Sequence, residues 1–446
     1  MKKSSFVYGS ILMTVINFII AFIGFSYDVL LSNLIGAEAM GLFQMSMSVL
    51  MIFMIITTAG VPMAVSQLVA QENSKNHKEN VYQILKFSII LNFILSIVLS
   101  FILVCLSNPI SEKIFKNRNM LQSMYFLVPI IIIISINSVI RGYYYGLKKV
   151  GIASVSEIIN NVSRFLIVLG FLHYSYPIEL EFGVLVAICG ISIGEFFGLI
   201  WLILAYKREN KKSSYPCYIQ LNSINILNQI IKIAGPLTIT GLINVFLGFV
   251  NKILIPNKLM DLGYSNSEAY ATLGRITGMA MSLIFMPFVI TSALVINIVP
   301  SLSEQMALKN YRNMKADILF AIKITLIISI PLSILYRLFS EPLAVFLYND
   351  KKVGEYLRIL SYSTVFMALQ HTFSGILQGL NKHTAITINR LIGMSIQLLL
   401  VYFLVGNPKF GINGFFIGFY LRIFVIFLLD LVTLRSIVKF RFRHIN

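Results

Sequence analysis

The sequence predicts an all-α polytopic membrane protein, and two observations lead to this fold class. Of the 446 residues, 57% are hydrophobic and only 12% are charged, whereas a soluble domain carries about 25% charged residues. Long apolar runs at 84–106, 124–140 and 182–206 approach or exceed the roughly 20 residues that cross a bilayer as a helix. Lipid rather than water is therefore the expected solvent for most of the chain.

We place about twelve membrane-spanning helices along the chain. They are 7–31, 41–70, 84–106, 122–146, 151–172, 182–206, 229–255, 269–300, 316–339, 355–380, 385–405 and 411–434. The second and eighth are long for one crossing, and Pro62 and Pro287 are positions at which they can kink. The first follows two lysines, as a signal peptide does, but its length and the absence of a small-residue cleavage site predict an uncleaved span.

The net charge of +18 is explained by topology. If both termini are cytoplasmic, the connecting segments on that side contain 19 lysines and arginines, against 8 on the opposite side. Such an excess marks the cytoplasmic face of bacterial membrane proteins, where it faces anionic lipid headgroups. We therefore expect a multi-pass membrane protein with both termini on the cytoplasmic side and membrane lipids as neighbours, and no nucleic-acid partner.

The two halves of the chain resemble each other. RGYYYGLKKV at 141–150 matches SGILQGLNKH at 374–383, because Gly142 and Gly146 fall on Gly375 and Gly379 at an offset of 233 residues. The other matches are Leu68 and Gln71 with Leu302 and Gln305 at 234, and Gly183 and Gly190 with Gly411 and Gly418 at 228. These matches predict a duplication: a six-helix lobe at 1–206, a cytoplasmic linker at 207–228 and a second six-helix lobe at 229–446. With six helices each, the repeats are parallel, an arrangement typical of transporters with a pathway between the halves.

A polar stripe runs along the fifth predicted span. Ser154, Glu157, Asn161 and Arg164 are spaced so that they share one helix face. The second repeat has Arg390 and Gln397 at the positions of Glu157 and Arg164. Two interpretations remain open: a buried ion pair of Glu157 with Arg164 or Arg390, or the lining of a cavity for an anionic headgroup.

Ionisable residues within spans are costly, at roughly 2.5–3.5 kcal/mol each on insertion scales, and are expected to face a wet cavity or each other. The deep members that we add to the candidate site are Arg275, Asp28 and Glu195, with Arg141 at a span end. Arg141 is compatible with a cavity position or with a position at the membrane interface. The glycines at 190, 194, 198, 414 and 418 predict close helix packing without a ligand role.

Motifs of catalysis and metal binding are missing from the sequence. It contains no HExxH, P-loop or GxSxG pattern, and its five histidines and three cysteines have no metal-ligand spacing. We therefore expect no cofactor, no metal and no enzymatic activity. Without a P-loop, transport would be driven by an ion gradient, the membrane potential or a partner, and the coupling ion, Na⁺ or H⁺, stays undetermined.

Several stretches resemble a known family. SNLIGAEAMGLFQM (32–45), AGVPMAVSQLVAQ (59–71), the region 141–165, LGRITGMAMSLIFMP (273–287) and INIVPSLSEQ (296–305) are similar to the stage V sporulation protein B and polysaccharide-exporter branch of the multidrug/oligosaccharidyl-lipid/polysaccharide (MOP) flippase superfamily. Ala21 and Tyr27 stand where the lipid II flippases of that superfamily carry basic residues, which favours the sporulation and polysaccharide branch.

The resemblance implies two six-helix lobes in a V around a central cavity, and alternating access. It also implies a lipid-linked oligosaccharide substrate, such as an undecaprenyl-pyrophosphate-linked peptidoglycan precursor for the cell wall or spore cortex, and places Arg275 near a cavity arginine of the lipid II flippases. One alternative is a cation-coupled multidrug antiporter of the same superfamily, with Asp28 and Glu195 as its acids. A less favoured alternative, a membrane glycosyltransferase, would need long outward loops with catalytic acids.

Overall fold

The computed structural model describes residues 3–118, 120–175, 178–210, 223–308 and 310–442, with the side chains of 3–15, 210, 293 and 437–442 left out. Every regular element in this part of the chain is a helix, which confirms the all-α fold class. Ten stretches are long and apolar enough to cross a membrane. The protein is therefore a multi-pass membrane protein.

The first half of the chain forms six helices. They are α1 (Lys3–Thr58), α2 (Val61–Ser74), α3 (Lys78–Pro109), α4 (Met120–Gly146), α5 (Val150–Tyr174) and α6 (Leu180–Asn210). The predicted kink of the second span is confirmed, because the helix is interrupted at residues 59–60 and resumes with Pro62 in the first turn of α2. The connection predicted at 32–40 is shorter than expected: α1 consists of two helices that meet at Gly36, whose φ of 77° departs from helical geometry. A glycine tolerates this positive φ because it has no Cβ.

The second half contains more and shorter helices. They are α7 (Ser223–Asp261), α8 (Asn266–Leu273), α9 (Met281–Ile284), α10 (Pro287–Ala307), α11 (Tyr311–Leu338), α12 (Ser340–Tyr348), α13 (Lys351–Leu360), α14 (Ser363–Gly379), α15 (His383–Leu400) and α16 (Asn413–Phe442). A π-helical segment, Gly274–Ala280, joins α8 to α9. The eighth predicted span is interrupted immediately before Pro287, as its proline predicted.

Two features explain why twelve predicted spans correspond to ten apolar stretches. The first stretch, Ile16–Ser74, contains both the first and the second predicted crossing. The tenth predicted span, 355–380, is interrupted at residues 361–362 and is divided between α13 and α14, of 10 and 17 residues. Hydropathy does not register such an interruption, because the residues on both sides of it remain apolar.

The chain folds into two compact units. The N-unit consists of Leu42–Phe249, and the C-unit consists of Met1–Gly41 and Val250–Asn446. The core of the N-unit contains Val65, Leu68, Ile84 and Tyr144. The division at 207–228 that the duplicated sequence suggests stays a prediction. Residues 211–222 of that linker, including Cys217, lie outside the described residues.

The same glycine contacts recur in both repeats. In the N-unit, a Cβ on Gly142 would lie 2.5 Å from the Pro62 carbonyl oxygen; in the C-unit, a Cβ on Gly375 would lie 2.6 Å from Val295 Cγ2. Pro62 and Val295 are 233 residues apart, as are Gly142 and Gly375. The contact of Gly146 with Ser66 likewise corresponds to that of Gly379 with Val299. Two pairs of counterpart serines at this offset are buried in both repeats: Ser96 and Ser329, and Ser100 and Ser333.

These contacts also correct the alignment of the repeats at α2 and α10. Gly146 lies against Val69, and Gly379 lies against Leu302. Val69 is therefore the counterpart of Leu302, and the offset is 233 there, not the 234 inferred from matching Leu68 with Leu302. Identical letters one position away misled the sequence comparison, because leucine is common on every face of these helices.

Gly146→Ala is expected to destabilise the protein. A Cβ there would lie 2.6 Å from the Ser66 carbonyl oxygen, so α2 and α4 would have to separate, at about 1–3 kcal/mol. Gly170→Ala is the matched control, because nothing lies within 4 Å of a Cβ at this helical position. Thermal unfolding of the purified variants in detergent measures both, and equal melting temperatures would contradict the assigned role of Gly146.

Candidate functional site

Glu195 is the centre of a buried polar cluster in the N-unit. It lies on α6 and its side chain is only 8% exposed. Asn160 Nδ2 on α5 donates to Glu195 Oε1 at 2.7 Å, and Asn137 Nδ2 on α4 donates to Oε2 at 2.5 Å. Arg141 Nη2 lies 3.2 Å from Oε2. The carboxylate is thus satisfied by one cation and two amides from two neighbouring helices.

Arg141 connects this carboxylate to a second one. Its Nε donates to Ser156 Oγ at 3.0 Å, and its Nη1 lies 4.0 Å from Glu157 Oε1. The Arg141 side chain is 16% exposed, whereas that of Glu157 is 32% exposed. Tyr145 OH is 3.5 Å from Glu157 Oε1. Arg141 is therefore a part-buried residue that pairs with two carboxylates of the N-unit.

The ion-pair alternative for Glu157 named Arg164 or Arg390 as its partner, and the ion pair that the structure gives Glu157 is with Arg141. The predicted stripe on α5 nevertheless forms a continuous chain of contacts. Asn161 Nδ2 donates to the Glu157 carbonyl oxygen at 2.8 Å, and Arg164 Nη2 donates to Asn161 Oδ1 at 3.4 Å. The stem of Arg164 lies against the glycine face of α6, with its Cβ 3.2 Å from a Cβ placed on Gly194. This confirms the packing role predicted for the α6 glycines.

The second repeat makes the equivalent contact with its charge reversed. Arg390 Nη2 on α15 donates to Ser374 Oγ on α14 at 3.4 Å, and these residues lie 233 positions after Glu157 and Arg141. The arginine of this contact is thus on α4 in the first repeat and on α15, the counterpart of α5, in the second. At an offset of 228, the counterpart of Glu195 is Ile423. Both carboxylates that neutralise Arg141 are therefore absent from the corresponding positions of the second repeat.

Asp430 is a buried acid of the second repeat at a different position. Asn389 Nδ2 donates to Asp430 Oδ1 at 2.7 Å, and both residues are buried. Gln397 on α15 is 3% exposed, and its Oε1 has no hydrogen-bond partner among the described residues. Among the described residues, no carboxylate lies within ion-pairing distance of Arg390. Arg390 is exposed at the surface of the C-unit.

The two remaining candidates lie in another part of the C-unit. Arg275, in the π-helical segment, has its Nε 2.6 Å from Asp350 Oδ2. Asp350 also caps α13, because its Oδ1 accepts from the backbone N–H of Lys352 at 2.9 Å. Asp28 on α1 lies within electrostatic range of Tyr348, whose hydroxyl bonds to Ser282 Oγ at 2.8 Å. The structure therefore gives Arg275 a direct structural partner.

Arg275→Ala is expected to lower the free energy of unfolding by about 1–3 kcal/mol, because Asp350 would lose a charge-assisted hydrogen bond. Adding Asp350→Asn should restore much of this loss, since asparagine still caps α13 and leaves no unpaired carboxylate. Thermal unfolding measures the stability. Transport by the stable double variant tests the predicted cavity role: normal transport would remove Arg275 from the site.

The polar residues that sequence reasoning missed are Asn137, Asn160 and Ser374. Asn137 and Arg141 are spaced i, i+4 on α4, a signal that could have placed them on one face. No group of three or more His, Cys, Asp or Glu side chains is arranged for a metal ion in the described part of the chain.

The comparison with protein families decides the classification. The profile described as "Polysaccharide biosynthesis protein" matches residues 6–306, about two thirds of the chain. The chain belongs to this polysaccharide biosynthesis protein family. The MatE profile matches residues 268–403. Together these matches confirm the membership in the MOP flippase superfamily that the sequence motifs suggested.

Two relatives match most of this chain. Stage V sporulation protein B of Bacillus subtilis (strain 168) is 23% identical over 440 residues, covering 98% of this chain and 85% of that protein. Lipid II flippase MurJ of the same organism is 24% identical over 422 residues, covering 89% and 77%.

A solved structure, described as the inward-facing conformation of a multidrug resistance MATE family transporter of the MOP superfamily, has a TM-score of 0.79. It is 16% identical and covers 96% of this chain and 99% of that one. This likeness shows the two-lobe MOP transporter fold.

Proposed function

We propose that this family member is a flippase that moves a lipid-linked oligosaccharide across the bacterial cytoplasmic membrane by alternating access. The substrate class is an undecaprenyl-pyrophosphate-linked saccharide, such as a peptidoglycan precursor for the cell wall or spore cortex. Both termini are assigned to the cytoplasm, on the basis of the lysine and arginine distribution. The names of the relatives, a lipid II flippase and a sporulation protein, support this substrate class.

The observation that carries the proposal is the charge reversal between the repeats. Where the first repeat has Glu157, the second has Arg390, which hydrogen-bonds to Ser374 and has no carboxylate at ion-pairing distance in the described structure. A guanidinium in a membrane span is costly unless it finds an anion or water. Arginine also binds phosphate through parallel N–H groups. An anionic headgroup is therefore the ligand class that this position favours.

The cation-coupled antiporter is less well supported by the same cluster. Glu195, one of its two candidate acids, is only 8% exposed and is held by Arg141, Asn137 and Asn160. A transported cation would have to displace the Arg141 guanidinium from a buried ion pair, which is strongly unfavourable. Asp28 is the acid that remains for this alternative.

The test is reconstitution of the purified protein in vesicles, with translocation of lipid II and of a fluorescent cationic drug measured side by side. We expect the lipid to move and the drug to remain. Protein-free vesicles give the background. Drug transport without lipid movement would replace the flippase proposal by the antiporter, and an H⁺ or Na⁺ gradient applied in parallel identifies the coupling ion.

A further inference from the structure

A second arginine of the C-unit, Arg422, has no counter-ion among the described residues. It lies on α16 and is part-buried, with its Cζ 4.8 Å from the centre of the Phe419 ring. Within the described structure, no hydrogen-bond acceptor or carboxylate contacts its guanidinium. The contact with the ring is a cation–π interaction, which leaves the N–H donors without an acceptor among the described residues.

The depth of Arg422 argues against an ordinary interfacial role. The apolar stretch of α16 covers Asn413–Ser436, and Arg422 lies nine residues after its start, roughly 13 Å along the helix axis. This is close to the middle of a hydrocarbon core of about 30 Å. Phosphates of resident phospholipids lie at the two interfaces. A donor at this depth therefore suits a headgroup that itself crosses the membrane.

Arg390 approaches the same level from the neighbouring helix. A Cβ on Gly393 of α15 would lie 3.2 Å from the Arg422 carbonyl oxygen, so α15 and α16 are in tight contact there. Arg390 precedes Gly393 by three residues, roughly 4.5 Å along the axis. The two arginines thus originate about one helical turn apart on adjacent helices.

This arrangement is specific to the second repeat. The counterparts of Arg422 and Gly393 are Gly194 at an offset of 228 and Asn160 at 233, and Gly194 packs against Asn160 in the N-unit. The glycine at the close contact is therefore on α6 in the first repeat (Gly194) and on α15 in the second (Gly393). The position that corresponds to Gly194 is occupied by Arg422 in the second repeat.

Two titratable groups, Asp430 and His371, lie within electrostatic range of Arg390. Asp430, within electrostatic range of Arg390, is buried and accepts from Asn389 Nδ2 at 2.7 Å. His371 on α14 is also in range of Arg390; its Nδ1 bonds with Thr291 Oγ1 at 3.1 Å and its ring stacks on Phe288. Asp430 Oδ2 has no hydrogen-bond partner among the described residues, and no ion pair there joins Asp430 to Arg390 or Arg422.

From this juxtaposition we infer that Arg390 and Arg422 form one diphosphate-binding site of the C-unit, which holds the pyrophosphate of a polyprenyl-linked headgroup in mid-membrane. The inference rests on the proposed flippase function and assigns the substrate's pyrophosphate to these residues. Each guanidinium binds one phosphate group through charge-assisted hydrogen bonds. A monophosphate engages only one of them, so the site distinguishes a diphosphate from a monophosphate.

The test measures binding of three lipids to the full chain in detergent: a polyprenyl diphosphate, the polyprenyl monophosphate and phosphatidylglycerol. The variants are Arg390→Gln, Arg422→Gln and, as control, Arg358→Gln, an exposed arginine with no ion pair among the described residues. We expect the unmodified protein to bind the diphosphate roughly 10-fold more tightly than the monophosphate, corresponding to one additional charge-assisted contact. Either site variant should remove this preference, and the control should keep it.

Three outcomes would overturn the inference. They are an unchanged diphosphate preference in Arg422→Gln, equal binding of phosphatidylglycerol and the diphosphate, or loss of the preference in one variant only. Arg422→Lys, which keeps the charge, provides a folded comparison if Arg422→Gln unfolds, and it should retain binding while losing part of the preference. Transport separates the two proposals. Selective binding without translocation would contradict the flippase and leave the site, whereas normal translocation by Arg422→Gln would contradict the site and leave the flippase.

Discussion

Arg390→Ala is expected to reduce translocation of a lipid-linked pyrophosphate roughly 10- to 100-fold without reducing the amount of folded protein. The reason is that Arg390 contributes little to the fold: its side chain makes a single long hydrogen bond, 3.4 Å to Ser374 Oγ, and has no ion pair in the described structure. Loss of one charge-assisted contact to phosphate, at about 1.5–3 kcal/mol, corresponds to this reduction at tenfold per 1.4 kcal/mol.

The measurement is the initial rate of lipid II translocation in vesicles that contain equal amounts of each variant. Arg390→Lys should keep part of the rate, because lysine retains the charge but not the paired N–H groups. Arg358→Ala is the matched control and should transport normally. Full transport by a well-folded Arg390→Ala protein would show that the charge reversal between the repeats does not serve the substrate.

Arg141→Ala is expected to have the largest effect on stability. It removes the only cation within ion-pairing distance of Glu195 among the described residues, and Glu195 is 8% exposed. Breaking a buried ion pair by deleting one partner costs about 3–5 kcal/mol, because the remaining charge stays buried without compensation. Unfolding in detergent, followed by temperature or denaturant, measures the loss.

Two further variants separate charge from packing at this position. Arg141→Met combined with Glu195→Gln should recover most of the stability, because no unpaired charge remains and Asn137 and Asn160 can still bond to the glutamine side chain. Glu157→Gln should cost only about 0–1 kcal/mol, because Glu157 is 32% exposed and lies 4.0 Å from Arg141. If the double variant were as unstable as Arg141→Ala, packing rather than charge would explain the role of Arg141.

The contrast between these arginines shows why sequence reasoning reached the polar residues but not their roles. The sequence does not distinguish Arg141, Arg275 and Arg390, because each is an arginine in or near an apolar span. In the structure, Arg141 and Arg275 have carboxylate partners, Glu195 and Asp350, and Arg390 has none within the described residues. Each of these two partners lies more than 50 positions away in the sequence, where helical spacing gives no information about contacts.

The sequence by itself determined the membrane class, the approximate positions of the spans, the kinks at Pro62 and Pro287 and the duplication. These features depend on local composition or on a repeated pattern, and both can be read along one chain. It could not locate the positive φ at Gly36, because many glycines in these spans remain helical. It also misplaced the offset at α2 by one residue, since leucine recurs on all faces.

Only the tertiary structure decided which charges have a counter-ion within ion-pairing distance among the described residues. It assigned Glu157 to Arg141 instead of Arg164, and it brought Arg390 and Arg422 to neighbouring levels of α15 and α16 through the contact at Gly393. The physical reason is that the free energy of a charge in the membrane depends on what lies within a few ångströms of it. That distance is set by which helices pack together, which the order of residues along one helix does not specify.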